Sequence, residues 1–75
     1  MSPRRRQMTP REVVQVLQTH GFVLKSQKGS HQKWHHPETG KVVIVPVHKG
    51  RTIKPGTLAS IRRGSGLPDS AWETE

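Results

Sequence analysis

Residues 22–47, FVLKSQKGSHQKWHHPETGKVVIVPV, decide the fold of this chain. Apolar and polar side chains alternate with a period of two up to a turn at residues 27–29, and a second alternating run follows. A turn at residues 37–40 then leads into residues 41–47, which are rich in β-branched side chains. This pattern predicts a meander of three antiparallel strands. Pro46 lacks a backbone donor, which indicates that the third strand ends there or lies at an edge of the sheet.

The second strand of this meander presents two different faces. Side chains alternate between the faces of a strand, so each face takes every second residue. We therefore expect Gln32, Trp34 and His36 on one face. The opposite face takes His31, Lys33 and His35. On this pattern Trp34 is expected in the core rather than stacked on a nucleic-acid base.

A helix is predicted on either side of the strands. Residues 9–12, Thr-Pro-Arg-Glu, combine a Thr cap, a Pro at the first helical position and a Glu three residues after the cap. Gly21 is placed to end this helix. Pro55 begins a second helix, which residues 64–66, Gly-Ser-Gly, are expected to break. The resulting α-β-β-β-α order predicts an α+β fold in which both helices cover one face of a three-stranded antiparallel sheet and the other face stays open.

The chain of 75 residues has room for one small domain. We expect a basic, disordered arm at residues 1–8, a folded domain at residues 9–67 and a tail at residues 68–75. The sequence contains no cysteine, and no apolar run is long enough to span a bilayer. A cytoplasmic protein with no membrane partner is therefore expected.

The charge of the chain is its main compositional feature. Thirteen Lys and Arg against five Asp and Glu give a formal net charge of +8, which attracts polyanions such as nucleic acid. An acidic protein partner would exploit the same charge. The residues expected to contact RNA lie around the first turn of the meander and in the loop before the second helix, and they are Lys28, Gly29, Ser30, Lys33, Lys49, Arg51 and Lys54.

His31 is the candidate catalytic residue. Histidine can both accept and donate a proton near neutral pH. RNA carries its own nucleophile, and a general base that removes the proton of a 2′-hydroxyl allows this oxygen to attack the adjacent phosphodiester. Protonation of the leaving 5′-oxygen needs a second group, for which His48, His35 or water are the candidates.

Two other chemistries fit the sequence less well. His31, His35, His36 and His48 lie among lysines, with no cysteine and few carboxylates nearby, which makes a poor cation site. No metal and no cofactor are therefore expected. A nucleophilic Ser30 would lack an acidic partner to orient its base.

Several short segments, in this order and at these spacings, resemble one known family. They are Gly21-Phe22, Lys28-Gly29-Ser30-His31, Val45-Pro46-Val47-His48, Ile53-Lys54-Pro55-Gly56-Thr57-Leu58, Ile61-Arg62-Arg63 and Gly66-Leu67. Together they are similar to the HicA toxins, small RNA-cutting proteins of bacterial toxin–antitoxin pairs, over about residues 9–67. Arg4-Arg5-Arg6 and the tail lie outside the family pattern, and Pro55 stands where a lysine is common.

The resemblance implies a fold like that of a double-stranded RNA-binding domain, His31 as the catalytic histidine and an acidic HicB-like antitoxin as the partner. The expected function is that of a type II toxin, a metal-independent endoribonuclease that cleaves mRNA. Two other functions stay open. One is a non-catalytic double-stranded RNA-binding module in which His31 only contacts the backbone. The other is a protein-interaction domain whose charge attracts an acidic partner.

Overall fold

The computed structural model describes residues 7–73. Its elements are α1 (Pro10–Thr19), β1 (Val23–Lys28), β2 (His31–His35), β3 (Val42–Pro46), α2 (Pro55–Ser65) and a C-terminal 3₁₀ helix (Asp69–Trp72). The predicted α+β fold with α-β-β-β-α order is confirmed. The arm predicted at residues 1–8 lies outside the described residues except for Gln7 and Met8.

The three strands form one antiparallel sheet in the order β1-β2-β3. Trp34 of β2 pairs with Leu24 of β1 and Val43 of β3, and His31 pairs with Lys28 and Pro46. Paired residues share a face of the sheet. The predicted alternation along β2 is therefore confirmed, and β3 is an edge strand that ends at its proline.

The helices cover one face of the sheet, called here the covered face. Both helices pack against β3. The core contains the buried side chains of the two helices and of β2 and β3, which are Val13, Leu17, Trp34, Val43, Val45, Leu58 and Ile61. The opposite, open face carries His31 and Lys33, and it also exposes Val42 and Ile44. Trp34 is a core residue, as predicted.

The beginning of α1 follows the sequence prediction. The Thr9 hydroxyl accepts a hydrogen bond from the Glu12 amide at 3.2 Å, and the Glu12 carboxylate accepts one from the Thr9 amide at 2.9 Å. This reciprocal capping box satisfies two amides that the helix itself leaves unpaired. Gly21 follows the C-cap with φ +95°, a left-handed conformation that favours glycine.

The predicted end of α2 within residues 64–66 is confirmed, because the helix includes Gly64 and Ser65 and ends at Gly66. Gly64 faces β3, and a Cβ atom there would lie 3.4 Å from the Val43 side chain, so a small residue serves close packing inside the helix. The Ser65 hydroxyl donates to the Arg62 carbonyl at 2.7 Å and accepts from the Leu67 amide at 3.1 Å. Gly66, with φ +70°, is the residue that ends the helix.

The core includes side chains from both sides of residues 9–67. Met8 and Trp72 are each 1% exposed and belong to the same hydrophobic cluster as the sheet and helices. The Met8 carbonyl accepts a hydrogen bond from the Ile53 amide at 2.8 Å, which holds the N-terminal segment alongside the loop before α2. Trp72 lies on the 3₁₀ helix that follows α2. Neither residue belongs to a periodic pattern in the sequence.

Candidate active site and nucleic-acid interface

A tight hairpin places His31 at the beginning of β2. Strand β1 extends to Lys28, so the turn is the pair Gly29-Ser30 rather than residues 27–29. Gly29 has φ +55°, and a glycine with positive φ at the first position is typical of two-residue hairpin loops. Because Lys28 and His31 pair directly across this loop, the lysine and the imidazole leave the sheet on the same, open face.

The end of β3 supports the hairpin from the other side. The Val47 amide donates a hydrogen bond to the Ser30 carbonyl at 2.6 Å, and Pro46 lies opposite His31. The backbone around His31 is therefore held by both neighbouring strands, while its side chain stays exposed. The backbone of His31 is therefore fixed, while solvent or a ligand can reach its imidazole.

His31 also borders a groove between β3 and α2, called here the β3–α2 groove. The groove has a volume of about 800 Å³. Its charged or ionisable lining residues are His31, His48, Arg51 and Lys54. On the helix side, the groove is lined by small side chains at spacings of one turn, namely Gly56, Ser60 and Gly64. The small residues leave room beside the strand, so an extended chain can lie in the groove.

One β-turn holds His48 next to Arg51. The Arg51 amide donates to the His48 carbonyl at 3.2 Å, and Gly50 has φ +75°. A glycine with positive φ at the third position is typical of a type II turn, whose end residues lie within about 7 Å of each other. Ile53, which is buried, anchors the segment that follows. The turn therefore holds the backbones of His48 and Arg51 close together, and both residues line the groove.

The first turn of α2 contributes backbone donors to the same groove. Pro55 occupies the beginning of the helix, and within residues 7–73 no side chain caps its N-terminus. The first amides of a helix have no partner inside the helix, and they face a site favourable for anions. Gly56 and Thr57 both line the groove at this point. Their amides lie beside Lys54, the N-cap residue.

Four of the seven predicted RNA-contacting residues fall into two groups, and the other three belong to neither. Arg51 and Lys54 line the β3–α2 groove together with His31. Lys28 and Lys33 lie on the open face. Lys28 pairs with His31 across the hairpin, and Lys33 follows His31 by two residues along β2. The remaining three are outside the groove lining: Gly29 and Ser30 form the hairpin turn, and Lys49 is an exposed residue inside the β-turn. Among the ionisable residues of the groove lining, His31 is the one that also lies on the open face of the sheet.

Sequence reasoning missed the contribution of α2 to this site. The small residues at positions 56, 60 and 64 recur every four residues, which places them on one helix face. That spacing was the available signal, but small residues on a helix face are also compatible with a simple solvent-exposed surface. Only the position of α2 beside β3 turns them into a groove wall.

The other three histidines have different surroundings. The His36 Nδ1 accepts hydrogen bonds from the amides of Glu38 and Thr39 at 3.2 and 3.3 Å, and its ring packs edge-on against Phe22 with centroids 5.2 Å apart. His20 Nδ1 lies 2.9 Å from the Val16 carbonyl at the end of α1. His35 is at the far end of β2, about 13 Å along the strand from His31.

No group of three or more His, Cys, Asp or Glu side chains within residues 7–73 is arranged to hold a metal ion. None of the helices described there has the length and apolar character needed to cross a membrane.

The fold and the site together define a small, strongly basic α+β domain with an exposed histidine between two cationic surfaces. Among known families, the model of the HicA toxin of bacterial toxin–antitoxin systems matches residues 10–67. The match covers most of the chain, so the protein belongs to the HicA family and is a toxin of the toxin–antitoxin class. A comparison with curated proteins found no match.

Proposed function

We propose that this toxin is a metal-independent endoribonuclease that cleaves mRNA with His31 as the general base. The observation that carries the proposal is the composition of the β3–α2 groove. It combines an exposed imidazole with two cations, Arg51 and Lys54, and with the first amides of a helix. A proton acceptor beside several donors suited to phosphate is the combination that cleavage of an RNA backbone requires.

The proposed reaction uses the 2′-hydroxyl of the substrate as the nucleophile. His31 accepts the proton of this hydroxyl, and its oxygen forms a new bond to the adjacent phosphorus. The bond from phosphorus to the 5′-oxygen then breaks, and that oxygen takes up a proton. The products are a 2′,3′-cyclic phosphate and a free 5′-hydroxyl. Because the substrate supplies the nucleophile, no metal-bound water is needed.

The surrounding cations serve to bind the phosphate backbone and to stabilise the negative charge that develops on it. Arg51 and Lys54 line the groove and are proposed to bind the phosphate at the cleavage site, whereas Lys28 and Lys33 are proposed to bind the RNA strand where it crosses the open face. Lys49 and the Gly29-Ser30 turn lie at the borders of this path. Contacts of this kind give affinity without base recognition.

The antitoxin is the second partner of this surface. Membership in the HicA family implies a toxin–antitoxin pairing, and we propose a HicB-like antitoxin. A chain with net charge +8 favours an acidic partner. An antitoxin that covers His31 or the basic surface would block access of RNA, and inhibition then follows from simple occlusion.

Cleavage by purified variants tests the proposal. The wild type and His31→Gln are incubated with mRNA in the presence of a chelator, and the products are analysed for cyclic phosphate ends. Glutamine keeps a polar side chain but cannot act as a proton acceptor of this kind, so the variant is expected to lose about 10²- to 10⁴-fold in rate. His35→Gln is the matched control, because it removes a histidine of the same strand and face that lies away from the groove.

The outcomes separate the proposal from the alternatives. Equal cleavage by the wild type and His31→Gln would rule out the catalytic role of His31. RNA binding without any cleavage would instead favour the non-catalytic RNA-binding module. An absence of RNA binding at low salt would favour the protein-interaction domain.

A further inference from the structure

We infer that His48 is the general acid of this reaction, a role that rests on the proposed function and extends it. Cleavage by 2′-hydroxyl attack involves two proton movements. One proton leaves the 2′-oxygen, and another must reach the 5′-oxygen as its bond to phosphorus breaks. An unprotonated alkoxide is a poor leaving group, so a positioned acid accelerates this step.

The sheet brings His48 to the same end of the molecule as His31. Pro46 pairs with His31, and the next amide along the chain, that of Val47, donates to the Ser30 carbonyl at 2.6 Å. His48 follows directly. The chain from Pro46 to His48 therefore runs beside the His31 hairpin, and both imidazoles line the β3–α2 groove.

The other histidines do not share this position. The chain has five histidines, all of them within the described residues. His20 borders a different pocket, beside α1 and the end of the chain, and His35 and His36 are absent from the lining of the β3–α2 groove. His31 and His48 are thus the two imidazoles that can face one phosphate bound there.

The surroundings of His48 suit a proton donor to a leaving group. Its side chain is exposed, so it is available to a ligand. The β-turn that begins at His48 ends at Arg51, whose guanidinium lies on the same groove. In this proposal a phosphate held by Arg51 lies in the groove that His48 and His31 both line. His31 removes the proton of the 2′-hydroxyl, and His48 supplies a proton to the 5′-oxygen.

A change of leaving group tests this assignment directly. Once the cleavage site of an RNA has been mapped, an oligonucleotide is made with sulfur in place of the 5′-oxygen at that bond. A thiol has a pKa of about 8.5, far below that of an alcohol, so the sulfur can leave as a thiolate without being protonated. Loss of a general acid should then matter for the oxygen substrate and not for the sulfur substrate.

We expect His48→Gln to cleave the oxygen substrate about 10²- to 10⁴-fold more slowly than the wild type does. On the sulfur substrate the variant should cleave at nearly the wild-type rate. His31→Gln should be slow on both substrates, because the 2′-hydroxyl still needs a base. Binding of an RNA with a 2′-deoxy group at the cleavage site checks that each variant is folded and still holds RNA. His48→Asn is a second variant in case the glutamine disturbs the turn.

Two results would overturn the role of His48 while the proposed function stands. The first is wild-type cleavage of the oxygen substrate by both His48 variants. The second is an equal loss on the oxygen and sulfur substrates, which would indicate a role in binding or positioning rather than in protonation. If His31→Gln cleaves as fast as the wild type, or the wild type does not cleave, the proposed function itself fails, and the assignment of His48 fails with it.

Discussion

At the scale of single residues, the site depends on where each cation lies rather than on how many there are. Lys and Arg are spread along the whole chain. Arg51 and Lys54 line the β3–α2 groove beside His31, whereas Arg63 is exposed near the C-terminal end of α2 and is not part of the groove lining. Substitutions inside and outside the groove can therefore distinguish direct phosphate contacts from the effect of the overall positive charge.

Arg51→Ala and Lys54→Ala are each expected to weaken RNA binding and to reduce its salt dependence. Each lost phosphate contact should lower the slope of log K against log salt by about 0.7 for a single strand. Arg63→Ala removes the same charge at a distance and should change both quantities less. Titrations of a non-cleavable RNA at several salt concentrations measure the effect. Equal losses in all three variants would indicate a diffuse field and no defined phosphate path.

At the scale of elements, the β1–β2 hairpin decides where His31 lies. The turn has only two residues, Gly29 and Ser30, and its glycine has φ +55°. Local patterns in the sequence predicted this element well, because strand alternation and turn glycines reflect contacts between residues close in the chain. The end of α2 was also predicted, because the helix stops inside the Gly-Ser-Gly triplet, at Gly66. What the sequence did not indicate is that Gly64, the first residue of this triplet, is still helical and lies against Val43 of β3.

Gly29→Ala is expected to destabilise the domain by about 1 kcal/mol through the backbone alone. A Cβ atom at Gly29 meets nothing within 4 Å, so steric contact does not contribute. Gly56→Ala is the matched control, since its surroundings are equally open but its φ is not positive. It should leave stability unchanged or raise it slightly. Denaturant unfolding measures the free energy of unfolding of both variants. If Gly29→Ala is as stable as Gly56→Ala, the positive φ at residue 29 does not require glycine.

At the scale of the whole molecule, the core is larger than the segment that carries the family pattern. That pattern matches residues 10–67, yet Met8 and Trp72 are buried in the core. A small domain has few large side chains to bury, and its total stability is correspondingly low. Residues on both sides of the family segment therefore contribute to folding, even though the site itself lies inside it.

A chain that ends at residue 67 is expected to be largely unfolded. Removal of a buried tryptophan costs about 3–5 kcal/mol, which is comparable to the whole stability of a domain of this size. A chain that ends at Glu73 keeps the 3₁₀ helix and serves as the control. Urea unfolding followed by circular dichroism compares the two, and equal midpoints would place the end of the domain at residue 67.

Trp72→Phe provides a gentler version of the same test. The indole N–H of Trp72 is buried and has no hydrogen-bond partner among residues 7–73. Phenylalanine keeps most of the apolar volume and removes this unpaired donor, whose burial is itself unfavourable. The substitution should therefore cost much less than Trp72→Ala.

The sequence by itself determined the order of the elements, the two faces of β2 and the place of His31 after a glycine turn. These features depend on alternation, caps and turns, which are local interactions and leave a regular trace in the chain. Only the tertiary structure decided that His31, His48 and Arg51 share one groove with the small residues of α2. It also decided that Met8 and Trp72 complete the core. Contacts between residues far apart in the chain follow from packing of the whole domain, and packing leaves no periodic signal in the sequence.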